Sequence, residues 1–387
     1  MSHKIKIQLD GQVLSETEKT GIGWCVWRLT EQLAARDDTD ITINYFSKGH
    51  SPEETALVYS FEGKNVRVRE VKSIKSWMYK MHSLVVPIPY RKLFGDDADV
   101  SCFLNYYIPP FASGKRVSVV YDMVARAYPE TMDFRTRILL GTTLRSSIKR
   151  ADRIVTISEA AKSEIIKYYN TDADRISVMP MGVEEGYCPQ TEGLNDIKLK
   201  YGIDGAYLMY LGTLEPRKNI ETLIRAYALL KKRISAPKLV IAGKKGWAYE
   251  GIFKLTKELE LESDVIFTGY LERSEIPVLL TGAEAFVFPS VYEGFGMPPL
   301  EAMACGCPVI TSNVSALPEV AGDAGLLCDP KSPEEFAAAM ERVCTDKALA
   351  KSMSEKGLER AKSYTWKRAA DIFMDAVYGA FQKNSAK

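Results

Sequence analysis

Residues 289–301 of this 387-residue chain read Pro289-Ser290-Val291-Tyr292-Glu293-Gly294-Phe295-Gly296-Met297-Pro298-Pro299-Leu300-Glu301. Two carboxylates, Glu293 and Glu301, stand eight positions apart. On a single helix that offset leaves them about 80° out of register. They need not share one. Gly294 and Gly296 permit backbone turns closed to other residues, and Pro298 or Pro299 suits the first helical position. The expectation is a loop carrying Glu293, followed by a helix with Glu301 in its first turn. Free N–H groups and the positive dipole end of that helix form a seat for an anion. Two acceptors for sugar or ribose hydroxyls beside a phosphate seat suggest a pocket for a sugar nucleotide.

A second group lies upstream in Gly212-Thr213-Leu214-Glu215-Pro216-Arg217-Lys218-Asn219. Arg217 offers a fork matched to paired phosphate oxygens, and Lys218 adds a point charge. A departing nucleoside diphosphate gains charge as its glycosidic bond breaks, so cations here would stabilise the transition state. Near the start of the chain, the Gly21-Ile22-Gly23 turn can bring backbone N–H groups close to a phosphate. It is not a dinucleotide fingerprint, because Trp24-Cys25-Val26 follows and no third glycine arrives. Tyr121 and Asp122 end a strand pattern, where a carboxylate can either meet a ligand or cap the next turn.

These groups need elements to hold them. Ile5–Leu9, Ile41–Tyr45, Val117–Tyr121 and Arg153–Ile157 read as strands of a first series, the last leading to a helix capped by Ser158. A polar segment from Glu184 to Tyr201 follows, read as a connection with a lead-in helix. Tyr207–Leu211, Lys238–Ala242, Val265–Phe267, Ala285–Phe288 and Pro308–Thr311 read as strands of a second series. Helical stretches separate the strands, among them an amphipathic one from Asn219 to Arg233. Strands alternating with helices twice over imply an α/β chain of two parallel-sheet domains.

The string from Phe288 through Glu301-Ala302-Met303-Ala304-Cys305-Gly306-Cys307-Pro308-Val309-Ile310 resembles the E-x7-E signature of retaining GT-B glycosyltransferases of family 4. Two bare glutamates at that spacing mean nothing; the full string is specific. The resemblance covers nearly the whole chain, most strongly over residues 205–330. It implies the GT-B fold: two doubly wound, Rossmann-like domains facing across a cleft. The expected bounds are 1–183 on the acceptor side and 184–364 on the donor side, with a C-terminal helix at 365–387 packing back on the first domain. By the same resemblance Arg217 and Lys218 bind the donor diphosphate, while Gly21 and Gly23 approach it from across the cleft. Glu293 contacts the donor sugar and Glu301 the ribose. Gly212, Thr213, Gly294, Phe295, Gly296 and Leu300 line the donor site, and Gly243, Lys244 and Tyr270 approach the base.

Many relatives carry histidine where this chain has Tyr121, and a phenol of reference pKa about 10 is a poor base near neutrality. Front-face attack, in which the leaving phosphate oxygen helps to deprotonate the acceptor, needs no histidine. Asp122 and Tyr121 are expected to line the acceptor side. The implied reaction passes a hexosyl group from GDP-mannose or a UDP-hexose to a glycan or lipid-linked saccharide, with retention, in cell-surface polysaccharide biosynthesis. No cofactor and no divalent metal are expected. A nucleotide-sugar isomerase of the 2-epimerase type on the same fold, or a protein that only binds the nucleotide sugar, are the alternatives.

Composition sets the remaining bounds. Hydrophobic residues make up 46% of the chain, enough to bury a core in each half. A net charge of +1 gives no reason to invoke nucleic acid. No apolar run reaches the roughly 18 residues of a membrane span, and the polar start Met1–Lys4 does not read as a signal peptide. Seven cysteines without C-x-x-C, and three histidines, point to neither zinc nor a disulfide framework, and a reduced cytoplasm fits. From Lys64 to Lys92, eight basic residues face one acid, Glu70, with Trp77, Met78, Tyr79, Met81 and Leu84 interleaved. That composition suits an anionic membrane surface, hence peripheral contact with the inner face of a membrane, or a lipid diphosphate; the plainer reading is a solvated face or a mobile loop.

Overall fold

The computed structural model describes residues 4–132 and 134–382. The chain divides into two units, Met1–Gly182 with Trp366–Lys387, and Val183–Thr365. The first unit holds strands β1 (Ile5–Asp10), β2 (Thr39–Phe46), β3 (Val66–Val71), β4 (Val100–Phe103), β5 (Lys115–Val120), β6 (Arg153–Thr156) and β7 (Ile176–Val178). They form one parallel sheet in the order β3-β2-β1-β4-β5-β6-β7. Ile5, Ile7 and Leu9 are buried along β1, as is Gln8 between them, the two-sided burial expected of a parallel strand under helices on both faces.

The second unit holds β8 (Tyr207–Leu211), β9 (Lys238–Ala242), β10 (Val265–Gly269), β11 (Ala285–Phe288), β12 (Val309–Ser312) and β13 (Gly325–Cys328). Their order is β10-β9-β8-β11-β12-β13, again all parallel. In both units the chain runs outward from the first strand to one edge, then returns to build the other side from the fourth. That reversal is the doubly wound pattern, and it opens a crevice at the carboxyl ends of the two strands that diverge. Here those strands are β1 and β4 in one unit, β8 and β11 in the other.

Amphipathic helices cover the sheets. The helix Ile220–Lys231 buries Ile220, Leu223, Ile224, Tyr227 and Leu230, one stripe at 3.6-residue spacing. The C-terminal helix Trp366–Gln382 does the same with Ala369, Ala370, Phe373, Met374, Val377 and Ala380. It packs on the helix Gly21–Ala34 and on β6, and Tyr378 donates from its hydroxyl to Asp38 Oδ2 at 2.8 Å. Residues 383–387 of the expected helix lie outside the described part of the chain.

Two sequence expectations change. The basic stretch from Lys64 to Lys92 is no mobile loop, since it carries β3 and the helix Ser76–Val85; the side chain of Leu84 lies outside the described part. Four strands, β3, β4, β7 and β13, join the nine anticipated.

Candidate functional site

The segments leaving β8 and β11 meet at the crevice of the second unit. After β11, residues 289–296 form a loop; after β8, Pro216–Lys218 form a single 3₁₀ turn ending at Asn219. Asn219 has φ 56°, in the left-handed region that asparagine tolerates. Its amide donates to the carbonyls of Pro289 at 3.0 Å and Pro330 at 2.7 Å. The Val291 N–H donates to the Arg217 carbonyl at 3.0 Å, and Arg217 Nη1 donates to the Tyr292 carbonyl at 2.9 Å. Two segments far apart in sequence are thus stitched together by their backbones before any side-chain chemistry is considered.

The stitching brings Glu293 onto both cations. Lys218 Nζ donates to Glu293 Oε1 at 2.6 Å and Arg217 Nη1 to Oε2 at 3.0 Å, while Arg217 Nη2 donates to Glu215 Oε1 at 2.7 Å. Lys218 also lies 5.0 Å from the Phe288 ring centroid. The Lys218 and Glu293 side chains are each only 11% exposed. Burial alone would raise the Glu293 carboxyl, but the charges of Lys218 and Arg217 outweigh it and hold the group at about 2. Burial lowers the Lys218 ammonium from its ordinary value, with Glu293 opposing. The Glu293 N–H donates to Ser315 Oγ at 2.9 Å, fixing the loop from a third segment. The sequence pattern assigned Glu215, Asn219 and Ser315 no role at the site. Asn219 alone had a signal, as an asparagine beside the helix start.

Gly296 precedes the helix Met297–Ala304 with φ 134°, and a Cβ there would come within 3.1 Å of Leu317. Pro298 and Pro299 therefore occupy its second and third positions, and Glu301 its fifth. The expected first-turn placement of Glu301 fails: no acidic residue stands in that turn. Because the dipole acts mainly on the first turn, it gives Glu301 little help. Burial instead raises its carboxyl to about 7, with Glu184 adding to the rise while Arg273 and Tyr187 oppose it. Phe295 and Leu300 also depart from expectation. Phe295 is buried with its ring against Tyr364, and Leu300 is in the core with its N–H bonded to the Gly296 carbonyl. Their side chains are packed into the protein and hold the loop and helix in place.

Gly212 and Gly243 leave β8 and β9 side by side. A Cβ at Gly243, whose φ is 150°, would fall 1.9 Å from the Gly212 carbonyl oxygen, so only glycine fits. Thr213 is exposed beyond them. Lys244 lies 4.8 Å from the ring centroid of Tyr270, and both are exposed. The structure therefore brings together Gly212, Gly243, Lys244 and Tyr270 on one rim, and Arg217, Lys218 and Glu293 in one cluster. Gly294 stands in the loop between Glu293 and Gly296, half-buried.

In the first unit, Gly21-Ile22-Gly23 is not a free turn. It is the first turn of the helix Gly21–Ala34, capped by Thr20, whose hydroxyl accepts from the Gly23 N–H at 3.1 Å. Tyr121 is also corrected: it is buried, its hydroxyl donates to the Leu104 carbonyl at 2.9 Å, and its ring meets Tyr106 edge-on. Burial pushes its phenol well above the ordinary value. Its side chain is packed inward, with the hydroxyl engaged by the backbone. Asp122 accepts from the Val124 N–H at 3.1 Å, and it lines a cavity of about 320 Å³ with Ile22, Lys80, Asn105, Tyr106 and Tyr107. The Tyr107 N–H donates to the Asn105 carbonyl at 2.6 Å around Tyr106, whose φ is 56°. Such a tight, strained turn persists only where its surroundings enforce it. Nothing in the sequence pattern marked Asn105, Tyr106 or Tyr107.

The family model Glycosyl transferases group 1 matches residues 196–360, and Glycosyltransferase Family 4 matches residues 19–186. The O-antigen chain mannosyltransferase B of Escherichia coli is 35% identical over 276 residues, covering 70% of this chain and 72% of the relative. The sucrose-phosphate synthase of Thermosynechococcus elongatus superposes with a TM-score of 0.73 at 20% identity, covering 99% of this chain and 100% of that one. HepE of Anabaena, solved with UDP and glucose, also gives 0.73, at 17% identity, covering 97% of this chain and 100% of that one. The fold is GT-B.

Proposed function

This chain belongs to the group 1, family 4 glycosyltransferases, and from that premise we propose that it transfers a hexosyl group, with anomeric retention, from a nucleotide-diphosphate sugar to a hydroxyl of a glycan or lipid-linked saccharide. The setting would be cell-surface polysaccharide biosynthesis on the cytoplasmic side. GDP-mannose is the first donor to consider, because a relative at 35% identity is an O-antigen chain mannosyltransferase. A UDP-hexose is the second, since HepE was solved with UDP.

The observation that carries the reading is the buried Glu293–Lys218–Arg217 cluster at the β8/β11 crevice. Glu215 and Glu293 together balance the two cations, so the group rests at no net charge. A diphosphate drawn alongside would supply competing oxygens, and charge that grows on it as the glycosidic bond breaks would shift the cations toward it. That preference for the transition state is catalysis. Glu293, released in part, would accept from hydroxyls of the donor sugar. Glu301 would accept from the ribose, Gly212, Gly243, Lys244 and Tyr270 would border the nucleotide, and Asp122 would face the acceptor. In this reading the leaving phosphate oxygen takes the acceptor proton, and neither a cofactor nor a divalent ion is required.

The test is NMR of the product formed from GDP-mannose, with UDP-glucose in parallel and an excess of chelator throughout. An α-linked product from the α-linked donor, undiminished by chelator, is expected. A β-linked product overturns retention, and complete loss restored by magnesium overturns metal independence. Conversion of the donor sugar without transfer would mark an isomerase, and an unchanged donor under all acceptors a binding protein.

A further inference from the structure

The helix Ser76–Val85 is inside out. At 100° per residue, Trp77, Met81, Val85 and Met78 fall within an arc of about 100°. All four are exposed, Trp77 by 63% and Val85 by 84%, as is Val86 at the helix C-cap. The opposite arc, which faces the protein, carries Tyr79, Lys80 and Ser83. Tyr79 is buried against Phe46 and donates from its hydroxyl to the Ile88 carbonyl at 3.0 Å, and Lys80 turns toward the Tyr107 ring. A surface helix of a globular protein keeps its apolar stripe inward. A contiguous exposed apolar face marks an interaction site.

The charges around the face indicate what covers it. Lys72 and Lys75 precede the helix and Arg91 and Lys92 follow it, all exposed. Glu70, the one acid from residue 64 to 92, is held by the Tyr59 hydroxyl and by Lys72. We propose that this helix is the surface by which the protein rests on an anionic lipid bilayer, with Trp77, Met78, Met81 and Val85 entering the headgroup boundary and the flanking lysines and arginine meeting lipid phosphates. A tryptophan among flexible methionines, with lysines before the helix and Lys92 beside an Arg91–Asp96 pair after it, is a composition that binds such a boundary. Among the described residues no helix is long and apolar enough to cross a membrane, so the contact would be peripheral and reversible by salt. The inference does not depend on the proposed reaction, and its test needs no turnover.

The experiment is co-sedimentation of the full chain with vesicles of phosphatidylglycerol and phosphatidylcholine, against phosphatidylcholine alone. Binding to the anionic vesicles, weakened by salt, is expected. The double substitution Trp77→Ser with Met81→Ser should reduce partitioning at least about tenfold, whereas Leu199→Ser, an equally exposed apolar site in the second unit, should leave it unchanged. Brominated lipid should quench the tryptophan fluorescence of the wild type, and Trp77→Phe should lose most of that quenching. Equal sedimentation of the double variant and wild type, or no sedimentation of wild type, overturns the proposal. So does a wild-type dimer, seen by light scattering, that the same two substitutions disperse, because the face then belongs to a second copy.

Discussion

The two units share one strand order over six strands and one kind of crevice, yet fill the crevices with different chemistry. Where β8 and β11 diverge, the second unit links Glu215, Arg217, Glu293 and Lys218 in one chain of ion pairs. Where β1 and β4 diverge, the first unit places a strained turn, Asn105–Tyr107, above a buried Tyr121 that has spent its hydroxyl on a backbone carbonyl. Fold alone therefore predicts a site twice and its chemistry not at all. An ionic cluster suits charge that develops on a diphosphate. A cavity lined by tyrosines and apolar side chains around Asp122 and Lys80 suits a bulkier partner that must be oriented.

Breaking the ionic side should have the largest effect. Lys218→Ala and Arg217→Ala should each lower kcat/KM by about 2–4 kcal/mol in the barrier. Lys218→Ala should also cost roughly 3 kcal/mol of stability, because it leaves the buried Glu293 carboxylate with Arg217 as its remaining cation. Adding Glu293→Gln to Lys218→Met should restore the melting temperature and leave activity lost. Recovery of activity in that pair would show the cluster to be structural.

The next test sharpens a contrast within the second unit. Glu293 and Glu301 are eight residues apart and shift in opposite directions, one to about 2 and the other to about 7. For Glu293, depressed below its ordinary 4.5, stability is present above pH 4.5 and lost as pH falls toward 2. For Glu301 the sign reverses. The native state holds the proton more tightly than the unfolded chain, so stability declines as pH rises from 4.5 to about 7. Glu301→Gln removes that decline and should melt higher than wild type at pH 8. It should nonetheless raise the apparent donor constant about tenfold, since charge-assisted bonds to ribose hydroxyls are lost. In wild type that constant should rise as pH drops below 7, and a 2′-deoxy donor should discriminate against wild type far more than against the variant. A pH-independent donor constant would detach Glu301 from the ribose.

The smallest effects belong to the first unit. Tyr121→Phe should cost about 1 kcal/mol of stability and leave kcat unchanged, whereas Asp122→Asn should raise the acceptor KM a few fold without altering the donor constant. Thermal melts beside steady-state kinetics separate the two. A fall in kcat with Tyr121→Phe would return that residue to the reaction.

The strongly patterned elements were readable without coordinates. Central strands such as Tyr207–Leu211 and Ala285–Phe288 are continuous apolar runs because both faces are covered. β3, β7 and β13 were not readable. They lie at sheet edges, where a short or charged segment is held by one neighbour's ladder and not by its own pattern. β3 alternates valines with Arg67 and Arg69, whose partners Asp40 and Asp97 come from elsewhere in the sequence. Its basic composition therefore looked like a loop.

Residue type and local spacing determined the α/β class, the glycine and proline punctuation around Met297–Ala304, and the nature of the charged groups at 217, 218, 293 and 301. Those are properties of a residue and its near neighbours. Tertiary structure decided which charge meets which. Glu293 and Glu301 read alike in the sequence; one came to rest between two cations, and the other near Glu184 with a single nearby arginine. Coulomb energy depends on distance in space and on the local dielectric, and neither is written along the chain.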